Sequence, residues 1–306
     1  MRILLVDAMS VLYRAFYSSQ IEKNMYNEPI NAIKKFLYLI DDINRNYPCD
    51  DIIICEDAPR DTLYRQVVYS GYKKGRKPAP AELHQQRSML FGFLRKIGFP
   101  VVGVIGYEAD DIIGTLSRTL SADGHKVLIA SPDKDMYQLL VNKRIGLIRH
   151  NPHKHTQTLL FRDDIKREFG YWPEQTIDIK ILAGDQSDNI PGVPKCGFQG
   201  AIKIINDYGS IDCLISSDTD LDPIAMRCRD YIIRHKGDIR TYRDIITIDT
   251  NIDPVLISKQ IAYRVDEKTL WDTMNRYQIM SNEAFMELSF APYLMERLIK
   301  SGRDSE

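Results

Sequence analysis

The residues best equipped for chemistry are acids. Glu108, Asp110 and Asp111 stand near the start of the stretch GYEADDIIGTLSRTLSADGHKVLIASPDKD (106–135), and Asp133 and Asp135 stand at its end. Carboxylates brought together at this density repel one another, and a divalent cation, which takes oxygen ligands, is the natural remedy. The ordinary alternative is that acids complement the dipole of a helix N-terminus and that an Asp-rich turn holds no ligand. The elements that carry the acids decide between the two. Ile112, Ile113, Leu116 and Leu120 make one helical stripe, Gly124 is placed as a stop, and KVLIA (126–130) reads as a parallel strand covered on both faces. In such a unit the helix N-terminus and the strand C-terminus meet at one edge of the sheet, where open α/β sheets bind ligands. The acids are therefore expected to converge there.

Two further strands end in the same way. RILLV (2–6) stops at Asp7 and runs into a helical pattern through Val11, Leu12, Ala15 and Phe16; DIIIC (51–55) stops at Glu56 and Asp57. Either Asp alone reads equally well as a helix cap or turn residue. A phosphatase of the HAD type also begins with a strand-end Asp, but it requires a second Asp two positions on, where this chain has Met9. A second acidic loop carries Asp185 and Asp188 in GDQSDNIPGVPKCGFQGAIKII (184–205), after a helix at 174–182 and before one at 201–206. A glycine-rich turn between helices offers backbone N–H groups to phosphates without regard to base sequence, although an ordinary helical hairpin has the same pattern.

Cations and aromatics are concentrated in RQVVYSGYKKGRKPAPAELHQQRSMLFGFLRK (65–96). Arg65, Tyr69, Tyr72, Lys73 and Arg76 fall near one face at helical spacing, a mixture that suits phosphates and stacked bases. The plainer reading is a solvated charged helix. Gly71, Gly75 and Pro78 to Pro80 suggest breaks and a mobile segment, and a helix over 84–97 leads to the strand PVVGVI. His150, His153 and His155 sit in a turn between two strands, but no further Cys or His at ligand spacing completes a zinc site, so the expectation is a polar turn. Beyond Ile211 the pattern is mostly helical, with DIITIDT (244–250) reading as a short strand, and the last fifty or so residues hold no motif.

The chain has 306 residues and a formal net charge of -1, which by itself argues against a nucleic-acid partner. Setting the convergent acids aside leaves a basic remainder, so a basic surface around an acidic pit is the expected charge distribution. The 5 cysteines include no CxxC pair, as suits reduced thiols in a cytoplasmic protein. No membrane span or signal peptide is expected, since MRILLVDAMSVL is short and broken by Asp7.

The ordered set VDA, EDA, YRQVVYSGYKKGR, EADD, SPDKD, PEQ and GDQSDNIPGV resembles the flap endonuclease or 5′-nuclease family, including the N-terminal nuclease of bacterial DNA polymerase I and the stand-alone enzymes of tailed phages. The likeness runs from Met1 to about Ile205 and more weakly to Asp253. It implies an α/β fold, a PIN-like mixed sheet flanked by helices over 1–172, with a helical arch at about 60–97. A helical DNA-binding region would follow over 173–306, helix-three-turn-helix-like at about 175–206. By the same likeness Asp7, Asp57, Glu108, Asp110, Asp111, Asp133 and Asp135 form the first group of metal-binding carboxylates, and Asp185 and Asp188 are the pair supplied by the loop before the helical DNA-binding motif. Arg14, Lys73 and Arg76 would stand near the scissile phosphate, with Arg65, Tyr69, Tyr72, Lys195, Gly197 and Lys203 touching DNA.

The implied activity is 5′-3′ exonuclease and flap endonuclease action on flapped or branched DNA, duplex junctions and RNA primers, by two or more Mg²⁺ ions with Mn²⁺ as a substitute. A monomer is expected, cytoplasmic in a bacterium or phage-encoded in one, with replication proteins as possible partners. One turn departs from the family. Gln199 and Gly200 stand where a Lys and a hydroxyl residue are usual, which argues against the family's K⁺ site, while Lys195 and Lys203 are positioned to compensate. Two rivals remain: a PIN-type ribonuclease, which needs neither the arch nor the GDQSDNIPGV loop, and a non-catalytic branch-binding protein, which has no use for the acids.

Overall fold

The computed structural model describes residues 1–75, 78–151, 156–218 and 220–298. The chain alternates strands and helices through its first half: β1 (Arg2–Asp7), α1 (Ala8–Tyr17), α2 (Asn31–Asn46), β2 (Asp51–Glu56), α3 (Tyr64–Val68), α4 (Ala81–Lys96), β3 (Val101–Gly103), α5 (Ala109–Ala122) and β4 (Lys126–Ala130). β5 (Ile145–Asn151) and β6 (Thr156–Leu160) complete a sheet of order β3-β2-β1-β4-β5-β6, parallel except for β6. Helices follow: α6 (Arg162–Phe169), α7 (Thr176–Ala183), α8 (Gly197–Tyr208), α9 (Ile211–Ile215), α10 (Pro223–Arg234), α11 (Lys236–Ile246), α12 (Pro254–Ile261), α13 (Glu267–Tyr277), α14 (Asn282–Met286) and α15 (Ala291–Arg297).

Side chains of β1, β2 and β4 alternate between two buried faces, which is why these strands are apolar between their ends. Leu4, Val6, Ile52 and Ile54 pack with α1, α2 and α4 and, later, with Leu270, Phe285 and Leu294 from the C-terminal helices. Ile3, Leu5, Ile53 and Cys55 pack with α5, α7, α8, α10 and α11. The motif-free C-terminal residues thus serve as a lid on one sheet face, where Phe290 meets Phe99 edge-on at 5.2 Å.

The chain leaves β1 for β2 and β3 on one side and returns to β4 on the other. Such a reversal opens a crevice at the carboxyl ends of the strands. Asp7 ends β1 at this crevice, and Ser131 to Asp135 leave β4 there.

Two expectations about local structure are corrected. Residues 244–250 are not a strand: α11 runs to Ile246 because Ile239, Ile245 and Ile246 continue its buried stripe. Nor do residues 65–75 form one helix. Tyr69 is extended at φ -140°, beyond the end of α3, and Lys73 is left-handed at φ 53°, so the spacing of Tyr69, Tyr72 and Lys73 is that of a turn. Arg76, His153 and His155 lie outside the described residues.

Candidate active site

Asp7 caps α1, its carboxylate accepting from the Ser10 N–H at 3.1 Å and from the Ser131 hydroxyl at 2.8 Å across the crevice. Asp57, one residue beyond β2, accepts from the Ala109 N–H at 2.8 Å. Together with Glu108, Asp110 and Asp133 they line one cleft of about 610 Å³, whose rim carries Arg60, Lys73 and Arg87. Burial raises the Asp7 carboxyl above its usual range, and Asp133 adds repulsion. Burial also pushes Asp57 up to about 6, helped by the charge of Asp7. Asp110 is raised well above its usual range, first by burial and then by Asp7 and Asp133. These acids accept protons more readily than ordinary carboxylates because burial disfavours their charged forms and their neighbours' negative charge adds to it.

Glu108 behaves oppositely. Burial would raise it, yet Lys73 at 2.6 Å and Arg65 at 3.1 Å, with the Tyr72 hydroxyl donating at 2.6 Å, hold it below its usual value.

A second group lies beside the first. One oxygen from each of Asp135, Asp185 and Asp188 falls within 4.8 Å of the others, which fits a single cation with oxygen ligands. Burial, with repulsion from Asp133, pushes Asp135 up to about 7 in spite of Lys180, whose ammonium pairs with Asp135 and, at 2.6 Å, with Asp185. Asp185 is net lowered, since Lys180 outweighs its burial. The loop that presents these acids is closed by a backbone bridge between Asp185 and Ile190. Gly184 and Gly192 make it possible: both have positive φ, and a Cβ on Gly192 would sit 2.4 Å from the Gly184 nitrogen.

Several candidates have other surroundings. Asp111 is fully buried, and its two oxygens bind Arg65 at 2.6 Å each while also accepting the N–H groups of Glu108 and Asp249. Successive helical residues point about 100° apart, so Asp110 faces the cleft while Asp111 faces the interior. Arg65, 3% exposed, donates also to the carbonyls of Ile245 and Thr247, and therefore has no surface to offer DNA. Tyr72, also 3% exposed, is occupied with Glu108 and is not a stacking platform. Tyr69 sets its ring edge-on against Tyr242 at 5.8 Å and donates its hydroxyl to the Asn189 carbonyl at 3.0 Å.

Arg14 is half-buried on α1, where Asp42 is the acid that acts on it. Lys195 and Gly197 are exposed at the turn before α8, both left-handed, and Lys203 pairs with Asp207 at 2.8 Å and Asp222 at 3.2 Å. The sequence reading missed Lys180 and Ser131. The signal for Lys180 was there: a single cation inside the otherwise apolar turn IKILA, five residues ahead of Asp185.

Residues 2–170 match the family model of the 5′-3′ exonuclease N-terminal resolvase-like domain, and residues 171–268 match that of the 5′-3′ exonuclease C-terminal SAM fold. The 5′-3′ exonuclease of Buchnera aphidicola from Acyrthosiphon pisum is 35% identical over 226 residues, 74% of this chain and 77% of that protein. The thermostable DNA polymerase I of Thermus aquaticus is 31% identical over 252 residues, 82% of this chain but only 29% of the polymerase. Among solved structures, the T5 5′-exonuclease with bound zinc superposes with TM-score 0.63 at 18% identity, covering 91% of this chain and 98% of its own. Flap endonuclease-1 of Methanococcus jannaschii gives 0.55 at 15% identity, covering 92% and 93%. These two share the fold, a six-stranded α/β sheet followed by a helical region. The chain is a nuclease and belongs to the 5′-3′ exonuclease family.

Proposed function

We propose that this protein is a Mg²⁺-dependent, structure-specific 5′-nuclease that hydrolyses phosphodiesters near the 5′ ends of flapped, branched or RNA-primed DNA, with Mn²⁺ able to replace Mg²⁺. The observation that carries the reading is two adjacent carboxylate groups, one of Asp7, Asp57, Glu108, Asp110 and Asp133 in a cleft also lined by Arg60, Lys73 and Arg87, the other of Asp135 with Asp185 and Asp188 of the loop before α8. All of these donors are carboxylate oxygens, which suits hard divalent cations and disfavours soft ones. The raised affinity of Asp7, Asp57 and Asp110 for protons supports the same conclusion, since a cation would relieve what protons now relieve. Solved relatives of the fold include a T5 flap endonuclease in complex with DNA and metal ions.

Bound ions would lower the pKa of the attacking water and neutralise charge developing on the phosphate. The chain's own residues then have separable tasks. Lys73, anchored on Glu108, adds positive charge at the rim over the acids, where a phosphate would approach. Ser10 and Ser131 fix the orientation of Asp7, and Ala109 that of Asp57. The exposed turn at Lys195 to Gly197 leaves backbone N–H groups at the start of α8 for a duplex phosphate. Its Gln199 and Gly200 give no reason to add a K⁺ ion.

The test is a 5′-labelled flap incubated with Mg²⁺ or with EDTA. Mg²⁺-dependent release of a short product with a 5′-phosphate is expected. Cleavage of single-stranded RNA but not flapped DNA would replace this reading with the ribonuclease, and binding without cleavage would replace it with the branch-binding protein.

A further inference from the structure

The segment carrying Tyr72 and Lys73 and the loop carrying Asp185 and Asp188 meet at one residue, Asn189, across a separation of 118 residues from Gly71. Asn189 accepts the Tyr69 hydroxyl on its backbone carbonyl at 3.0 Å and donates its side-chain amide to the Gly71 carbonyl at 3.1 Å. The two bonds need Asn189 to be left-handed, which it is at φ 62°, a conformation Asn tolerates better than most residues. They also need residue 71 to be glycine, because a Cβ there would lie 2.6 Å from the Tyr69 ring. Tyr69 is itself steadied by Tyr242 of α11.

The consequence lies in what is next along each chain. One residue before Asn189 is Asp188, in the second carboxylate group. One and two residues after Gly71 are Tyr72 and Lys73, both bonded to Glu108 at 2.6 Å in the first group. We infer that Tyr69 and Asn189 are positioning residues, a two-point clasp that holds Lys73 and the first acid group in register with the loop that supplies the second. The inference rests on the functional reading above. It predicts that a change at Tyr69, which touches no acid, weakens metal binding at Asp188 on another segment.

The variants are Tyr69→Phe, which keeps the ring on Tyr242 and removes the hydroxyl, and Asn189→Gly, which keeps the backbone conformation and removes the amide. Mn²⁺ affinity is measured by calorimetry, and single-turnover flap cleavage at saturating enzyme is followed against Mg²⁺ concentration. Each variant is expected to lose about threefold to tenfold in Mn²⁺ affinity and in rate, the span of one ordinary hydrogen bond. The double variant is expected to lose less than the product of the two, because the bonds belong to one clasp. Melting temperatures should stay near that of the unaltered protein. Unchanged Mn²⁺ affinity in both variants, or multiplicative losses that follow a fall in melting temperature, would overturn the clasp. An unaltered protein that binds Mn²⁺ but leaves every flap uncut would overturn the functional reading instead, while the Mn²⁺ titrations still decide for or against the clasp.

Discussion

Asp110 and Asp111 are adjacent in the first turn of α5 and have opposite environments. Asp110 faces other acids, so Asp110→Asn removes repulsion; activity should collapse while stability to denaturant holds or rises. Asp111→Ala takes the two-point partner from the buried Arg65 and leaves it only the longer contact to Glu108, and breaking a buried pair typically costs about 3–5 kcal/mol. Urea unfolding of the two variants checks this, with Asp111→Ala expected to unfold at markedly lower denaturant. Equal midpoints would mean that the Arg65 pair contributes nothing to folding. The glutamate before them differs again, for both carboxylate oxygens of Glu108 are engaged by Lys73, Tyr72 and Arg65.

At the scale of elements, the junction between α7 and α8 departs from the family at Gln199 and Gly200. Both are on α8, Gln199 is exposed, and a Cβ on Gly200 would meet only the Cys196 sulfur at 3.6 Å, an ordinary contact. Gln199→Lys combined with Gly200→Thr therefore fits the fold. It is expected to tighten duplex binding severalfold in low salt and to steepen the loss of affinity as salt rises, because one more phosphate is neutralised. Binding curves at two salt concentrations test this, and identical curves would show that the turn does not touch DNA. The α3 segment teaches a related lesson. The helix stops at Val68 and Tyr69 is extended, so the helical spacing of Arg65, Tyr69 and Tyr72 did not put them on one face: Arg65 and Tyr72 turn inward to Asp111 and Glu108, and the half-buried Tyr69 reaches Asn189.

For the whole molecule, the shared charge of the crevice links folding to pH and to metal. Asp57 and Asp135 have folded pKa values of about 6 and about 7, raised chiefly by burial, and Asp7 and Asp110 are also raised. A carboxyl with a higher pKa folded than unfolded takes up a proton on folding between the two values, so its stabilising effect is present at low pH and is lost as pH rises through the folded value. Glu108 and Asp185 are shifted the other way, so their stabilising effect is lost as pH falls. In EDTA the melting temperature should therefore fall between about pH 4 and about pH 7, and saturating Mg²⁺ should raise it far more at the upper end. Parallel melting curves with and without Mg²⁺ would count against ions replacing protons at these acids.

By itself the sequence determined the sheet, because strands buried on both faces must be apolar throughout and RILLV, DIIIC and KVLIA are. It also determined that Asp7, Asp57, Asp110, Asp133 and Asp135 come to one edge, since parallel strands with helical crossovers put every strand end and every following helix start on the same side. What only the tertiary structure decided is which way neighbouring side chains turn. Asp111 and Arg65 look like a ligand and a DNA contact in one dimension, and their mutual burial depends on α11 ending beside them with the free carbonyls of Ile245 and Thr247. Lys180 likewise meets Asp135, and Asn189 meets Tyr69 and Gly71, only when segments far apart in the chain are packed together. Local pattern records the period of burial within an element; the partner across an interface is set by packing between elements, and no local pattern encodes it.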